Sequence, residues 1–295
     1  MLDHLHPHPS TPDRIVILGA AGFVGSALKN NLDTHRIKVE PLTRAEIDLL
    51  DEHAGDQLAG RLRESDTLVI ISAKAPCRNA SMLEQNIRMM VAVGGAIEKV
   101  PPTHVIYVSS DAVYADSTEP LHEASPAAPE SLHGVMHLAR ELMLKDSVSC
   151  PLAILRPTLI YGADDPHNGY GPNRFRRLAA AGEEIVLFGE GEERRDHVAV
   201  EDVAELIRLI AMHRSRGILN AATGSVASFR QIAEFIGELF GGAVAISGSP
   251  RQGPMPHGGY RPFDPAATTA AFPEFTYTPL LDGLKRIHRL TTHTN

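Results

Sequence analysis

The sequence has no tryptophan, only two cysteines, no long apolar run and no basic block among its 295 residues. Cys77 and Cys150 cannot build a disulfide framework, so the expected compartment is a reducing cytoplasm. No stretch approaches the roughly 18 unbroken apolar residues of a membrane span. Residues 1–12 lack both the cationic and the apolar part of a signal peptide and read as a polar arm. With 28 Lys and Arg against 36 Asp and Glu, the net charge is −8, which argues against nucleic-acid and anionic-membrane partners. What remains is an ordinary folded composition, 43% apolar and 22% charged, long enough for one large α/β unit or for a core with a smaller lobe. The excess is histidine, fifteen against six tyrosines.

Residues 14–18, Arg-Ile-Val-Ile-Leu, form a β-branched run followed at once by glycines and by a helical segment at 26–32. Further strands are expected at 37–42, 67–72, 104–109, 152–155 and 218–222. Helices are expected at 86–99, 132–144, 174–181, 201–213 and 229–240. Strands separated by helices at this spacing build a parallel sheet with helices on both faces. Turn-rich stretches at 164–172 and 249–265 break the alternation and point to a second lobe assembled from two separated segments.

The segment Gly19-Ala-Ala-Gly22-Phe23-Val24-Gly25 sits directly after the first strand and opens a helix. A dinucleotide's pyrophosphate needs a bare backbone and a helix N-terminus aimed at it, and glycines at this spacing supply both. The ribose-binding acid expected about 20 residues on is missing. The second strand ends Pro41-Leu42-Thr43-Arg44, and an arginine there suits a 2′-phosphate. NADP is therefore preferred over NAD, with Asp48 and Leu49 placed to meet the adenine edge.

These residues resemble the extended short-chain dehydrogenase/reductase family, in particular its nucleotide-sugar epimerases, dehydratases and reductases. The resemblance runs from about Arg14 to about Ile287 and carries the spacing of Gly19, Gly22 and Gly25. Val108-Ser-Ser-Asp-Ala-Val-Tyr114 looks like the family's strand that ends in the catalytic Ser/Thr, which falls on Ser110. Asn86 matches the Asn of the preceding helix. Residues 155–162 resemble the segment that touches the nicotinamide, which includes Pro157, and Ala73 and Lys74 lie at the carboxyl end of the third strand, where cofactors bind. Residues 189–204 resemble the Gly-Glu-Gly…Arg-Asp…Val-x-Asp-Val-Ala segment. The resemblance makes Arg195 a ligand of the sugar nucleotide's diphosphate, Arg261 a second one and Asn173 a substrate contact. Residues 42–51 look like the NADP-using GDP-sugar synthases of the family.

One feature departs from the family. Its Tyr-x-x-x-Lys pair falls on His133 and His137. Spacing i, i+4 keeps both rings on one helical face, and imidazole can act as acid or base near neutrality. His133 would then stand in for the tyrosine and His137 would meet the nicotinamide ribose, with Ser110 orienting the substrate hydroxyl. A fold that binds nucleotide but has lost redox chemistry is an alternative. A metal site from His-x-x-x-His has no visible third ligand.

The expectation is thus a Rossmann-type α/β protein of about seven parallel strands with a smaller C-terminal substrate lobe. Its parts would be a flexible arm at 1–13, a dinucleotide-binding core at 14–161 and 199–224, and a lobe at 162–198 and 225–295. It would catalyse NAD(P)-dependent hydride transfer at a hexose carbon of a nucleotide sugar. A non-catalytic NADP(H)-binding sensor and a reductase of a non-nucleotide carbonyl are the alternatives. The resemblance also implies a homodimer through the helices at 82–99 and 132–144.

Overall fold

The computed structural model describes residues 2–292. Its first half alternates strand and helix: β1 (Leu2–Asp3), β2 (Ile15–Leu18), α1 (Phe23–Thr34), β3 (Val39–Leu42), α2 (Ala54–Ala59), β4 (Thr67–Ile70), α3 (Ala80–Lys99), β5 (His104–Val108), α4 (Leu132–Ser147) and β6 (Leu152–Pro157). The second half carries β7 (Leu159–Tyr161), α5 (Pro172–Ala180), β8 (Ile185–Phe188), β9 (Arg194–Ala199), α6 (Val200–Met212), β10 (Arg216–Ala221), β11 (Val226–Ser228), α7 (Phe229–Leu239), β12 (Ile246–Ser249), β13 (Tyr260–Arg261), α8 (Ala266–Ala271) and α9 (Leu280–Thr292).

The large sheet has the order β1-β10-β6-β5-β4-β2-β3. Six strands are parallel and β1 pairs antiparallel with β10, so the expected seven parallel strands become six plus one. All four residues of β2 are buried, and their alternation divides the core. Ile15 and Ile17 face α1 and α6, while Val16 and Leu18 face α2, α3 and α4. Helices on both faces make this a Rossmann-type sheet.

Within the arm expected at 1–13, residues between Leu2 and Ser10 make contacts with the large sheet and with the end of α6. The His4 ring contacts Ser215 Oγ at 2.7 Å and the Ala271 carbonyl at 2.9 Å, and stacks on His213. The His6 and Ser10 amides donate to the carbonyls of His213 and Met212. The edge strand is only two residues long, Leu2–Asp3, a signal too brief to read from sequence.

The smaller lobe uses short strands unread in the sequence. Strands β11, β9, β13 and β7 form one sheet, and β8 and β12 a second, over a core containing Tyr161, Phe175, Phe229 and Ile236. Helix α7 opens with a Ser228/Gln231 capping box. Residues 266–277, expected within this lobe, return instead to the large sheet. There Thr268 Oγ1 donates to the Asn220 carbonyl, and Phe272 joins the core beneath α6.

Candidate active site

A cleft of about 860 Å³ opens along the carboxyl ends of β2, β4, β5 and β6 and continues into the lobe. At one end lies the glycine turn. Gly19 adopts φ +101°, and a Cβ there would stand 2.8 Å from the Ser72 amide nitrogen. Gly25 does not line the cleft; a Cβ on it would overlap the Gly19 carbonyl, so its role is to let α1 pack against the turn. Gly22 caps α1 without a side-chain acceptor, and the first turn holds no acid. The amide donors of that turn, at Phe23 and Val24, therefore suit an anion.

The residues at the adenosine end fit a nicotinamide dinucleotide. Glu40, the nearest acid in β3, is paired with Arg61 and lies 3.6 Å from Arg14. Arg44 is exposed at the rim and bound to Asp48 at 2.9 Å. Asp48 and Leu49 line the cleft with it, as do Ala73, Lys74 and Pro157.

The opposite wall carries the histidines. Ser131 caps α4 by accepting from the Gly134 amide, and a Cβ on Gly134 would overlap the Ala112 carbonyl. That glycine lets α4 close on the turn that holds Ser110, and so places His133, His137 and Ser110 on one wall of the cleft. The two rings meet edge to face with centroids 4.7 Å apart. The Cys77 amide donates to His133 Nδ1 at 3.4 Å, so the His133 proton sits on Nε2. Burial lowers the His133 pKa, with Asp111 opposing. Burial, then the neighbouring His133 and Arg140, holds His137 well below the ordinary value. Both rings are neutral near pH 7.

Behind Ser110, Arg156 makes a bidentate pair with Glu141 at 2.9 and 2.6 Å, fully buried, and Ser109 Oγ donates to the same carboxylate at 2.6 Å. This brace fixes the end of β5. In the lobe, Arg195 lines the cleft between Glu193 at 3.3 Å and Asp111 at 3.7 Å. Asn173 also lines it, but its amide is engaged, accepting from the Gly162 amide and donating to Asp165.

The fold has counterparts among known proteins. The NAD dependent epimerase/dehydratase family matches this chain over residues 15–222. The chain belongs to that family. Solved structures share the fold. The Thermus thermophilus UDP-glucose 4-epimerase complex with NAD superposes with TM-score 0.81 at 20% identity, covering 94% of this chain and 98% of that one. The Naegleria fowleri GDP-L-fucose synthetase bound to NADP gives 0.82 at 18% identity over 99% and 97%. The Thermotoga maritima UDP-glucose 4-epimerase with UDP-glucose gives 0.83 at 21% identity over 95% and 99%.

Within this family member, most of the residues singled out from sequence meet in one cleft, and Arg261 does not. It is 1% exposed, with Nε 3.2 Å from Asp111 Oδ2, one terminal nitrogen 2.6 Å from Asp116 and the other 2.8 Å from the Asp111 carbonyl. The family resemblance assigned it to the substrate's diphosphate, whereas its donors are held inside the protein by acceptors on a distant stretch of chain. Asp111, His197 and Tyr170 also line the cleft and were missed. Among the described residues no group of three or more His, Cys, Asp or Glu could hold a metal ion. No described helix is long and apolar enough to cross a membrane.

Proposed function

We propose that this family member is an NADP(H)-dependent enzyme acting at a hexose carbon of a nucleotide-activated sugar, with His133 and His137 in place of the tyrosine and lysine. The observation that carries this reading is the common wall formed by Ser110, His133 and His137 in the cleft that begins at the glycine turn. Gly19, Gly22, Phe23 and Val24 would cradle the pyrophosphate, Arg44 and Lys74 would meet phosphate charge, and Pro157 would flank the nicotinamide. When bound, that dinucleotide supplies the hydride chemistry. The chain's own part is to bind, orient and move one proton. Ser110 orients the reacting oxygen, His133 exchanges the proton through its Nε2, and His137 stands beside it against the ribose. Arg195 would hold the substrate's diphosphate, and Asn173 would contact the substrate from the lobe. Net epimerisation, dehydration and reduction all begin from this arrangement.

Two further features fit the family pattern. Val91 on α3 and Val135 and Leu142 on α4 are exposed apolar residues, which supports a homodimer through these helices. Both cysteines are free thiols, in keeping with a cytoplasmic protein.

One observation favours a second reading. With Arg261 held by Asp111 and Asp116, Arg195 is left as the cleft's diphosphate arginine, and a non-nucleotide carbonyl substrate would need neither. Purified protein incubated with NADPH or NADP⁺ and a panel of keto and parent nucleotide sugars separates the cases. Turnover of a nucleotide sugar supports the proposal. Turnover confined to simple carbonyls supports the second reading. Tight NADPH binding with no turnover on any substrate would make the chain a sensor and overturn both.

A further inference from the structure

Arg140 is a fully buried cation that, among the described residues, has no carboxylate within ion-pair distance. Its guanidinium donates to the Ser72 carbonyl at 2.7 Å and toward Asn86 Oδ1 at 3.4 Å, and its Nε has no partner. A buried charge without its counter-charge is expensive, and such groups are kept where charge must form. The same helix shows that the fold can pair a buried arginine, because the adjacent Glu141 is given to Arg156. Arg140 instead lies 5.3 Å over the ring of Tyr107. Tyr107, on β5, is 1% exposed, and its hydroxyl lies 2.8 Å from His137 Nδ1, its one hydrogen-bond partner among the described residues.

Burial pushes the Tyr107 hydroxyl up to about 12, with Arg140 pulling the other way, so the phenol keeps its proton near neutrality. A buried O–H needs an acceptor, and His137 Nδ1 is the one it has. The hydroxyl therefore donates, and the ring's own proton resides on Nε2, the nitrogen on the far side of the ring from Tyr107.

We propose that Tyr107 and Arg140 form a proton-and-cation pair behind His137, displaced from the positions where the family pattern puts tyrosine and lysine. Tyr107 fixes the Nε2–H tautomer of His137 and replaces the proton that Nε2 gives up, and Arg140 stabilises the phenolate that results. Both are positioning residues acting through His137. When an oxygen in the cleft takes the Nε2 proton, its O–H bond forms as the N–H bond breaks. Nδ1 takes the Tyr107 proton as the phenolic O–H breaks. The ring ends neutral in its other tautomer, and the negative charge has moved from the cleft oxygen to Tyr107, beside Arg140. The reverse sequence serves an oxygen that loses a proton. At no stage is an imidazolium required, in keeping with the low proton affinity of His137. The inference rests on the proposed reading that His137 stands beside His133 in the cleft; His133 remains the group that exchanges the substrate's proton, and His137 serves the neighbouring oxygen.

The first test does not need turnover. In ¹⁵N-histidine-labelled protein without ligand, long-range ¹⁵N–¹H correlations report which nitrogen of His137 is protonated, with His137→Gln identifying the signal. The expected result is the Nε2–H tautomer with Nδ1 as a hydrogen-bonded acceptor, and a mixed tautomer in Tyr107→Phe. A proton on Nδ1 in the unaltered protein, or an unchanged spectrum in Tyr107→Phe, overturns the inference whatever the enzyme's substrate proves to be. The second test uses that substrate. Tyr107→Phe should lower kcat at least tenfold with KM within about twofold, a split that loss of packing would not give. Arg140→Met should do the same and Arg140→Lys should restore most of the rate; no difference between Met and Lys would remove the role assigned to the charge.

Discussion

Acid should unfold this protein through a small set of buried histidines. Burial holds His104 down to about 4 and His197 down to about 3, against about 6.5 for an exposed ring. The folded rings stay neutral while the unfolded rings take up protons. Stability is therefore complete above about pH 6.5 and falls as pH is lowered toward the folded values. Each ring contributes a slope of about 1.4 kcal/mol per pH unit in that window, so lowering the pH from 7 to 5 costs roughly 2 kcal/mol per ring and roughly 4 kcal/mol for the two. His137 shifts in the same direction and adds to the loss. Asp196 and Asp202, raised mainly by burial, work in the opposite sense as they protonate. Without tryptophan the assay is urea unfolding followed by circular dichroism at several pH values. His104 Nε2 lies 2.7 Å from the Ser215 carbonyl, a contact that glutamine can replace. His104→Gln should therefore flatten the slope between pH 6.5 and 5 by about one proton, or about 1.4 kcal/mol per pH unit. Equal slopes in the variant and the parent would refute a neutral buried His104.

Other consequences concern the site directly. Arg156→Met leaves Glu141 buried without its cation and should cost about 3–5 kcal/mol by urea unfolding, with most of it recovered in Arg156→Met/Glu141→Leu; an equally unstable double variant would contradict the pairing argument. Arg44→Ala should weaken NADPH binding roughly tenfold and leave NADH unaffected in a fluorescence titration, a modest factor because the arginine is exposed. Equal losses for the two dinucleotides would remove the argument for a 2′-phosphate site. Arg195→Ala should raise KM for a nucleotide sugar about tenfold or more with a near-native melting temperature, whereas Arg261→Ala should mainly lower the melting temperature by unpairing Asp111 and Asp116.

The central sheet was legible because its signals are local. A β-branched run, three glycines and a helix lie within about two dozen residues, and β4 and β5 are each a nearly continuous apolar stretch. The wall of Ser110, His133 and His137 was legible for a similar reason: one residue ends a strand and the others share a helical face. What was not legible depends on distant partners. Arg261 looks like a free cation until Asp111 and Asp116 are seen beside it. The strands of the lobe are two to six residues long and pair with segments far along the chain. Tyr107 and Arg140 lie within an expected strand and an expected helix, and only the fold brings them together behind His137. The histidine excess also divides once the fold is known, since His104, His137 and His197 are buried while several others sit on the surface.

The central claim is that His133 moves the proton in a reaction at the cleft. Its most direct test is the single-turnover rate of the His133→Phe variant on the substrate identified for the unaltered protein, with the NADPH dissociation constant measured in parallel. The account predicts an unchanged dissociation constant within about twofold and a rate lowered by about 10²–10⁴. An unaltered rate with unaltered NADPH binding would contradict it.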